Sequence, residues 1–459
     1  MCRRAADSPF FPPLSLARTR RALLVLISSL SDALLASSTA CAAGPRAAAV
    51  FILVSASAAG TLAQAPALLP SSAVASCVSC AVAAAIDARP RRALVIASFG
   101  CVAAGWPFAG IAMVPLGLWG CASVGIRPAV LWTLSAAALA LVLGAWVDRE
   151  HYGRWVLAPL NLVRYNFAGG DSTLYGVEPF HFYWKNLLLN FAPAVVVPLF
   201  GAFFSACIAL SARRVECSAR SRAWYLALAT TWTWLSVLSL VPHKEERFLT
   251  PVYPTLVLAA ALGWDSFLRI LSAARVAPGR ILDCIAWVVL LASAALALSR
   301  YAALAANYGA PLDVYARLPS ARAGGELLCV GDEWHRFPSS FFLPDGYEVA
   351  WVRESGGGML PMPFEADNPA PAHFNDRNVE SPEQYVPLER CTVLVDAKAE
   401  GAGGLTDSAG GRWSTVAEAD FVDRTRSPFL TRVFYLPSAL QDLTGVRNAY
   451  VKYTAKRRE

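Results

Sequence analysis

Long apolar runs with few charged residues, nearly all of them between residues 20 and 303, are the feature that most limits how this chain can fold. A helix needs roughly 20 apolar residues to cross the hydrocarbon core of a bilayer. The runs of about this length are 21–43, 47–69, 128–147, 188–211, 223–242, 252–271 and 281–303. A longer run over 93–125 is interrupted at Gly105–Phe108, and the run 71–86 is marginal in length. Together these runs predict an α-helical polytopic membrane protein with eight to ten membrane helices.

Composition supports a membrane protein and also divides the chain. Of the 459 residues, 56% are hydrophobic and 16% are charged, which is unusual for a soluble protein of this size. Residues 304–459 differ from the rest because they carry mixed charge, Pro and Gly. We therefore expect two regions, a transmembrane helical bundle over 1–303 and a small soluble α+β domain over 304–459.

Short runs rich in Val, Leu or aromatic residues in the C-terminal region predict strands that form a small mixed sheet. These runs are 326–331, 347–353, 391–396, Arg432–Tyr435 and Ala449–Tyr453. Gly and Ala dominate the stretch 398–412, which predicts a flexible loop there.

Arginines are clustered in three connections between apolar runs, which indicates membrane orientation rather than an acidic partner. The clusters are Arg89, Arg91 and Arg92; Arg213, Arg214, Arg220 and Arg222; and Arg269, Arg275 and Arg280. With these clusters on the cytosolic side, alternation of the helices places 148–187, 242–251 and 304–459 in the lumen. The net charge of +7 therefore gives little support for nucleic-acid binding.

The chain has eleven cysteines, and they are scattered. Cys77 and Cys80 form a Cys-x-x-Cys doublet without a second pair or a nearby His, so no metal site is predicted. Cys329 and Cys391 lie in the C-terminal region, where an oxidising lumen would permit a bridge between them. The sequence leaves that pairing open.

The densest group of ionisable residues beside an apolar run is the segment 243–247, between the runs 223–242 and 252–271. It consists of His243, Lys244, Glu245, Glu246 and Arg247. Charged groups held at the depth of a membrane usually line a polar pathway or a binding site. The cations can neutralise a phosphate, and the carboxylates can hold those cations or bind sugar hydroxyls. A solvated interfacial loop is the alternative interpretation.

Three segments resemble one protein family. His243-Lys244-Glu245-Glu246-Arg247-Phe248-Leu249-x-Pro251-x-Tyr253-Pro254 resembles the signature of the mannosyltransferases that use dolichyl phosphate mannose as donor, glycosyltransferase family 22. Leu174-Tyr175-Gly176-Val177-Glu178-Pro179 is similar to a luminal loop of the α-1,2 N-glycan branch of that family. The block from Cys329 to Pro344 is similar to the C-terminal region of the same branch.

The resemblance implies a GT-C type helical bundle with luminal active-site loops and a luminal C-terminal domain, in the endoplasmic reticulum membrane. It further implies that mannose passes with inversion from dolichyl phosphate mannose to a lipid-linked oligosaccharide, forming α-1,2 linkages in N-glycan precursor assembly. It implies neither a metal nor a cofactor. The alternative is a catalytically inactive or truncated family member that binds lipids or protein partners in the membrane.

The resemblance also implies roles for individual residues. His243, Lys244 and Arg247 are the candidates for stabilising the departing phosphate, while Glu245 and Glu246 orient those cations or the sugars. Candidates for substrate binding lie in the upstream loop, and they are Tyr175, Glu178, His181, Tyr183 and Asp171. Anchoring at the membrane interface is the alternative role of the aromatic residues, and stabilising a turn is the alternative role of Asp171.

Members of this family carry an acidic pair followed by aromatic residues in the first luminal loop, and this pair is the expected catalytic base. This sequence has no Glu before Glu150, and its earlier Asp residues stand in no such context; they are Asp7, Asp32, Asp87 and Asp148. The first helix and first luminal loop of the family are therefore expected to be missing. Three explanations stay open: an incomplete gene model, an inactive or repurposed paralogue, and replacement of the base by Asp148, Glu150, Asp171 or Glu178.

Overall fold

The computed structural model describes residues 13–168, 172–193, 195–196, 199, 218–354, 358–361, 375, 377–397 and 405–459. These residues belong to two compact units. One unit comprises Arg21–Leu298, and the other comprises Ser299–Glu459 together with the residues up to Arg20. The first unit is a bundle of helices, and the second contains a small mixed sheet with short helices. The predicted combination of a helical membrane bundle and a small α+β C-terminal part is confirmed.

The bundle contains twelve helices among the described residues. They are α1 (Pro13–Ala43), α2 (Pro45–Ser57), α3 (Ala59–Gln64), α4 (Pro70–Ile86), α5 (Pro90–Ala103), α6 (Val114–Val124), α7 (Ile126–Tyr152), α8 (Ala158–Ala168), α9 (Phe182–Phe191), α10 (Ala219–Leu240), α11 (Tyr253–Ala273) and α12 (Gly279–Tyr308). Short 3₁₀ helices lie at Pro107–Ile111, Ser172–Tyr175 and Glu246–Val252.

Several apolar runs are divided into more than one helix. The run 47–69, predicted as a single span, forms α2 and α3 because Ala58 between them is extended, with φ −65° and ψ 132°. The run 93–125 is broken at Gly105–Phe108 as predicted, and it forms parts of α5 and α6.

Four helices of the described chain are long and apolar enough to cross a membrane, namely Thr19–Ala43, Ile126–Tyr152, Glu246–Ala273 and Gly279–Tyr308. Shorter apolar helices are Pro45–Ser57, Pro70–Ile86 and Val114–Val124. The predicted span 188–211 lies largely outside the described residues, so the count of eight to ten membrane helices stays a prediction. Runs of apolar residues measure total length, and they do not reveal where the backbone stops being helical.

Helix α11 forms the centre of the bundle. Every residue from Pro251 to Gly263 is buried, and the helix packs against α2, α4 and α10. Its small residues, Ala259 to Ala261 and Gly263, let neighbouring helices approach closely. Helix α7 has the opposite character, because Leu131, Leu134, Val142 and other large apolar side chains are exposed on it. Such a continuous apolar surface is typical of contact with lipid.

A buried carboxylate links three helices by ion pairs, and one of its arginines also pairs with a fourth helix. Asp265 on α11 is 1% exposed, and its Oδ2 accepts from Arg220 Nη2 and from Arg269 Nε, both at 2.7 Å. Its Oδ1 lies 3.7 Å from Arg46 Nη1 at the start of α2. Arg46 also pairs with Asp283 of α12 at 3.1 Å. Because three guanidinium groups share this carboxylate, its loss would leave them without their common counter-charge.

We expect Asp265→Asn to lower the stability of the bundle by about 1.5–3 kcal/mol, the usual contribution of hydrogen bonds to a charged group, because the arginines left behind are partly exposed. Thermal unfolding in detergent measures the loss. The matched control is Asp283→Asn, because the Asp283 side chain is 35% exposed and pairs with only Arg46 among the described residues. Equal melting temperatures for the two variants would contradict the assignment of Asp265 as the shared anchor.

The C-terminal unit is built on a five-stranded sheet in the order β2-β1-β3-β5-β4. The strands are β1 (Glu326–Val330), β2 (Tyr347–Trp351), β3 (Val393–Asp396), β4 (Trp413–Val422) and β5 (Tyr450–Arg458). β1 is parallel to both β2 and β3, whereas β5 is antiparallel to β3 and to β4. The predicted mixed sheet is therefore confirmed, including the strands at 326–331, 347–353 and 391–396.

Short helices accompany the sheet. They are α13 (Ala310–Ala316), α14 (Leu405–Ala409), α15 (Phe429–Val433) and α16 (Ser438–Thr444). Val314 and Tyr315 of α13 pack with Leu328, Val330 and Tyr453 in one core cluster. A second cluster joins Leu405 of α14 to Cys329 and Leu394.

Two predictions for this unit were wrong. The segment Arg432–Tyr435 was expected to be a strand, but Phe429–Val433 is a helical turn that begins after Pro428, and Arg432 N–H donates to the Pro428 carbonyl. The predicted loop 398–412 contains the helix α14 at Leu405–Ala409, and residues 398–404 lie outside the described residues. Strand β4 was not predicted because its many polar residues do not give the apolar pattern of a strand. It pairs with β5, and Lys452 of β5 lies 2.9 Å from Asp420 of β4.

A disulfide bond joins Cys329 of β1 to Cys391, two residues before β3. The pairing that the sequence left open is therefore present. Both cysteines are fully buried, and the two neighbouring strands hold their Cα atoms 5.7 Å apart. The bond closes a long loop, with a sequence separation of 62 residues, which restricts the unfolded chain.

We expect the double variant C329S/C391S, made in the full chain, to destabilise the C-terminal unit by about 2–5 kcal/mol because the loop constraint on the unfolded state is lost. Limited proteolysis over a temperature series measures the loss. Cys284→Ser is the control, since Cys284 is an exposed free cysteine. Identical digestion midpoints for C329S/C391S and Cys284→Ser would argue against a stabilising bond.

Candidate active site

The segment 243–247 connects two helices through a turn that continues into a 3₁₀ helix, because of the residues around it. Helix α10 ends at Leu240, and Pro242 cannot supply the N–H that a continuing helix would need. The backbone is extended at Val241 and again at Glu245, with ψ 132° and 147°. A 3₁₀ helix, Glu246–Val252, then leads into α11. The polar side chains therefore project from a turn between two helices.

The upstream loop runs beside this turn and is hydrogen-bonded to it. Glu178 N–H donates to the Pro242 carbonyl at 3.1 Å, and Lys244 Nζ donates to the Glu178 carbonyl at 2.8 Å. His243 Nδ1 lies 2.9 Å from the Gly176 carbonyl. Gly176 has φ +98°, a conformation that side chains other than glycine rarely adopt. Two segments that the family resemblance singled out separately are thus brought together.

Glu245 is shared by two basic side chains. Arg247 Nε and Nη2 face the two oxygens of Glu245, at 2.6 and 2.9 Å, in a bidentate pair. His243 Nε2 lies 3.2 Å from Glu245 Oε1. The two ring nitrogens of His243 therefore face oxygen atoms on different segments, the Gly176 carbonyl and the Glu245 carboxylate. The Arg247 side chain is 49% exposed, so its guanidinium is also open to a ligand.

Lys244 is placed differently from the other cations. It is 6% exposed, and its ammonium group donates to the main chain of the upstream loop rather than projecting into solvent. The structure therefore gives Lys244 a contact that holds Glu178 in position. Its predicted contact with a phosphate stays a prediction.

The Glu246 carboxylate accepts a hydrogen bond from an uncharged side chain. Asn190 Nδ2, at the end of α9, donates to Glu246 Oε1 at 2.6 Å. Sequence reasoning did not select Asn190 as a site residue, although an Asn within the apolar run Leu187–Phe191 is a signal that could have found it. Glu246 itself is exposed.

A layer of aromatic side chains packs against the turn. Trp234 Nε1–H donates to the Phe248 carbonyl at 2.7 Å, and the Trp106 ring lies 5.8 Å from Trp234 and 5.7 Å from Phe248. The Phe248 ring also lies 5.8 Å from His243 and 5.8 Å from the Arg247 guanidinium carbon. The break at Gly105–Phe108, predicted only as a helix interruption, thus contributes a ring to this layer.

The predicted substrate residues occupy different environments. Tyr175 is exposed with its ring 6.1 Å from His243, and Glu178 and His181 are also exposed. Tyr183 is fully buried, packs against Phe182, and has its pKa raised well above the usual range by that burial. Asp171 lies outside the described residues. The exposed residues line the same loop as the turn, whereas Tyr183 belongs to its supporting core.

Comparisons with known proteins agree with these motifs. The model of the Alg9-like mannosyltransferase family matches residues 8–344. The chain is 32% identical over 383 residues to the α-1,2-mannosyltransferase ALG9 of Mus musculus, covering 76% of this chain and 61% of that protein. It is 31% identical over 453 residues to ALG9 of Arabidopsis thaliana, covering 95% of this chain and 77% of that protein.

The similarity to a solved structure is weaker than the similarity to these sequences. The crystal structure of ArnT from Cupriavidus metallidurans in the apo state superposes with a TM-score of 0.47 and 14% sequence identity, over 95% of this chain and 83% of that one. A score of this size carries no inference about the site. The family match covers well over half of the chain, from the first described helix through the turn at 243–247. The chain belongs to the Alg9-like mannosyltransferase family.

Proposed function

We propose that this protein is an inverting α-1,2-mannosyltransferase of the endoplasmic reticulum membrane. It transfers mannose from dolichyl phosphate mannose to a lipid-linked oligosaccharide during assembly of the N-glycan precursor. Family membership and the names of the ALG9 relatives support this function. The observation that carries it is the cluster of Arg247, His243 and Glu245 on an exposed turn at the start of a membrane-spanning helix.

The chemistry requires stabilisation of a departing phosphate. As the bond between the anomeric carbon and the phosphate oxygen breaks, negative charge grows on that phosphate, and cations fixed beforehand stabilise it. Arg247 is suited to this because a guanidinium has five N–H donors, and its pair with Glu245 uses one on Nε and one on Nη2. The edge formed by Nη1 and Nη2 can therefore receive a phosphate oxygen while Glu245 keeps the group in place.

The new bond forms between the anomeric carbon and an acceptor hydroxyl oxygen, and the hydroxyl proton passes to a carboxylate. A single displacement of this kind converts a β-linked donor into an α-linked product. Two exposed carboxylates adjoin the cations: Glu246 follows Glu245 in sequence, and Glu178 is bonded to the turn through its main chain. Both are candidates to act on sugar hydroxyls near the donor phosphate.

The disulfide bond supports the predicted compartment. Disulfides form and persist in oxidising environments such as the lumen of the endoplasmic reticulum. The buried bond between Cys329 and Cys391 fits a luminal C-terminal unit, and it agrees with the orientation read from the arginine clusters. The turn at 243–247 then faces the same luminal side.

We expect Arg247→Lys to lower transfer by about 10- to 100-fold, because the charge stays but the planar fork that pairs with Glu245 is lost. Expression in a host that lacks the matching mannosyltransferase, followed by sizing of its lipid-linked oligosaccharides, measures the effect. The control is Arg447→Ala, which removes an Arg of the C-terminal unit that is 67% exposed and paired with Asp442. Full restoration of oligosaccharide size by Arg247→Lys would contradict the role of the fork.

We expect Lys244→Met to release the upstream loop, because the Glu178 carbonyl loses its buried partner at a cost of about 1–3 kcal/mol. Faster protease cleavage between 172 and 181 in isolated membranes is the measurement. The control is Lys185→Met, since Lys185 is an exposed lysine of the following helix. Loss of transfer with unchanged protease protection would instead assign the Lys244 ammonium to the phosphate.

A further inference from the structure

We propose that Asn190 is a positioning residue that fixes the Glu246 carboxylate against the hydroxyls of the donor mannose. This role rests on the transferase function proposed above and adds to it a residue outside the His243–Pro254 segment. The two neighbouring glutamates, Glu245 and Glu246, have different surroundings.

Glu245 is engaged by cations. The Arg247 guanidinium pairs with both of its oxygens, and a ring nitrogen of His243 lies 3.2 Å from one of them. Glu246 instead accepts from the neutral amide of Asn190 on Oε1. An amide fixes the carboxylate without neutralising it, so Glu246 remains a strong acceptor for hydroxyl groups. The two carboxylates are therefore suited to different tasks, one holding cations and the other binding sugar.

Asn190 is itself held firmly. It is 3% exposed, and the neighbouring Phe191 ring meets the Tyr253 ring edge-to-face at 4.7 Å between centroids. A Cβ atom on Gly60 would lie 3.1 Å from the Phe191 ring and 3.2 Å from Asn190 Cβ, so a side chain there would require these neighbours to shift slightly. Elements from α3, α9 and α11 thus define where the amide points.

The position of Glu246 explains why the donor sugar is the partner. Glu246 is adjacent in sequence to both Glu245 and Arg247, the pair that we assign to the donor phosphate. In dolichyl phosphate mannose the sugar is bonded directly to that phosphate. We therefore assign the exposed Glu246 carboxylate to the hydroxyls of the mannose ring.

The test is a double-mutant cycle with the full chain in isolated membranes, using dolichyl phosphate mannose at varied concentration and a fixed lipid-linked acceptor. Asn190→Leu should lower kcat/KM for the donor by about 10- to 100-fold, the usual effect of losing a hydrogen bond to a charged group. Most of that loss should be a raised KM. Glu246→Gln should have an effect of similar size, and N190L/E246Q should be no worse than E246Q, because the two residues act as one unit.

Asn186→Leu is the matched control, since Asn186 lies one turn earlier on α9 and is partly buried. It should leave kcat/KM for the donor unchanged, which separates loss of the Asn190 amide from general damage to the helix. Thermal unfolding of each variant in detergent accompanies the kinetics.

A second variant keeps the role testable if Asn190→Leu fails to fold. Asn190→Asp has nearly the same shape but replaces the donor with a like charge beside Glu246. A shared proton restores a donor, so activity relative to the original protein should rise as the pH is lowered. A pH-independent deficit would overturn the positioning role, and so would additive losses in N190L/E246Q. Absence of transfer by the original protein would reject the transferase function itself.

Discussion

The hydrogen bonds between the upstream loop and the turn are the interactions on which the rest of the site depends. Glu178 donates its N–H to Pro242 and accepts from the Lys244 ammonium group, so each segment satisfies main-chain groups of the other. Without these bonds the turn would be a solvated connection between two helices, the alternative that the sequence left open. Burying the Lys244 ammonium group against a main-chain carbonyl costs free energy, because the charge leaves water. The contact nevertheless holds the upstream loop beside the cations of the turn.

The division of labour between Glu245 and Glu246 follows from backbone geometry and not from chemical type. Glu245 is in extended conformation just before the 3₁₀ helix, which directs it toward His243 and Arg247. Glu246 is the first residue of that helix and turns toward Asn190 on α9. Two identical side chains in succession thus face different partners. The same turn can therefore hold cations for a phosphate and keep a charged acceptor free for a sugar.

Sequence reasoning predicted features whose causes are local. Strands at 326–331 and 347–353 follow from runs of Val and Leu, and the membrane character of α12 follows from a long apolar run. It did not predict features that depend on distant partners. The break at Ala58 divides an unbroken apolar run, and the strand Trp413–Val422 is recognised only through its antiparallel partner. The same holds for the candidate site. The charged segment 243–247 was predicted because its residues are consecutive, whereas Asn190 was not predicted because it lies more than fifty residues away from Glu246 in sequence.

Helix α11 connects the candidate site to the most strongly charged part of the bundle. Its first residues follow directly from the turn that carries Glu246, and its final turns carry Asp265 with three arginines around it. Between these ends every residue up to Gly263 is buried against neighbouring helices. A helix fixed at one end by ion pairs and along its length by close packing has little freedom to shift or rotate. The position of the turn is therefore set by the whole bundle, which explains how a short segment between two helices can present its charges in one fixed arrangement.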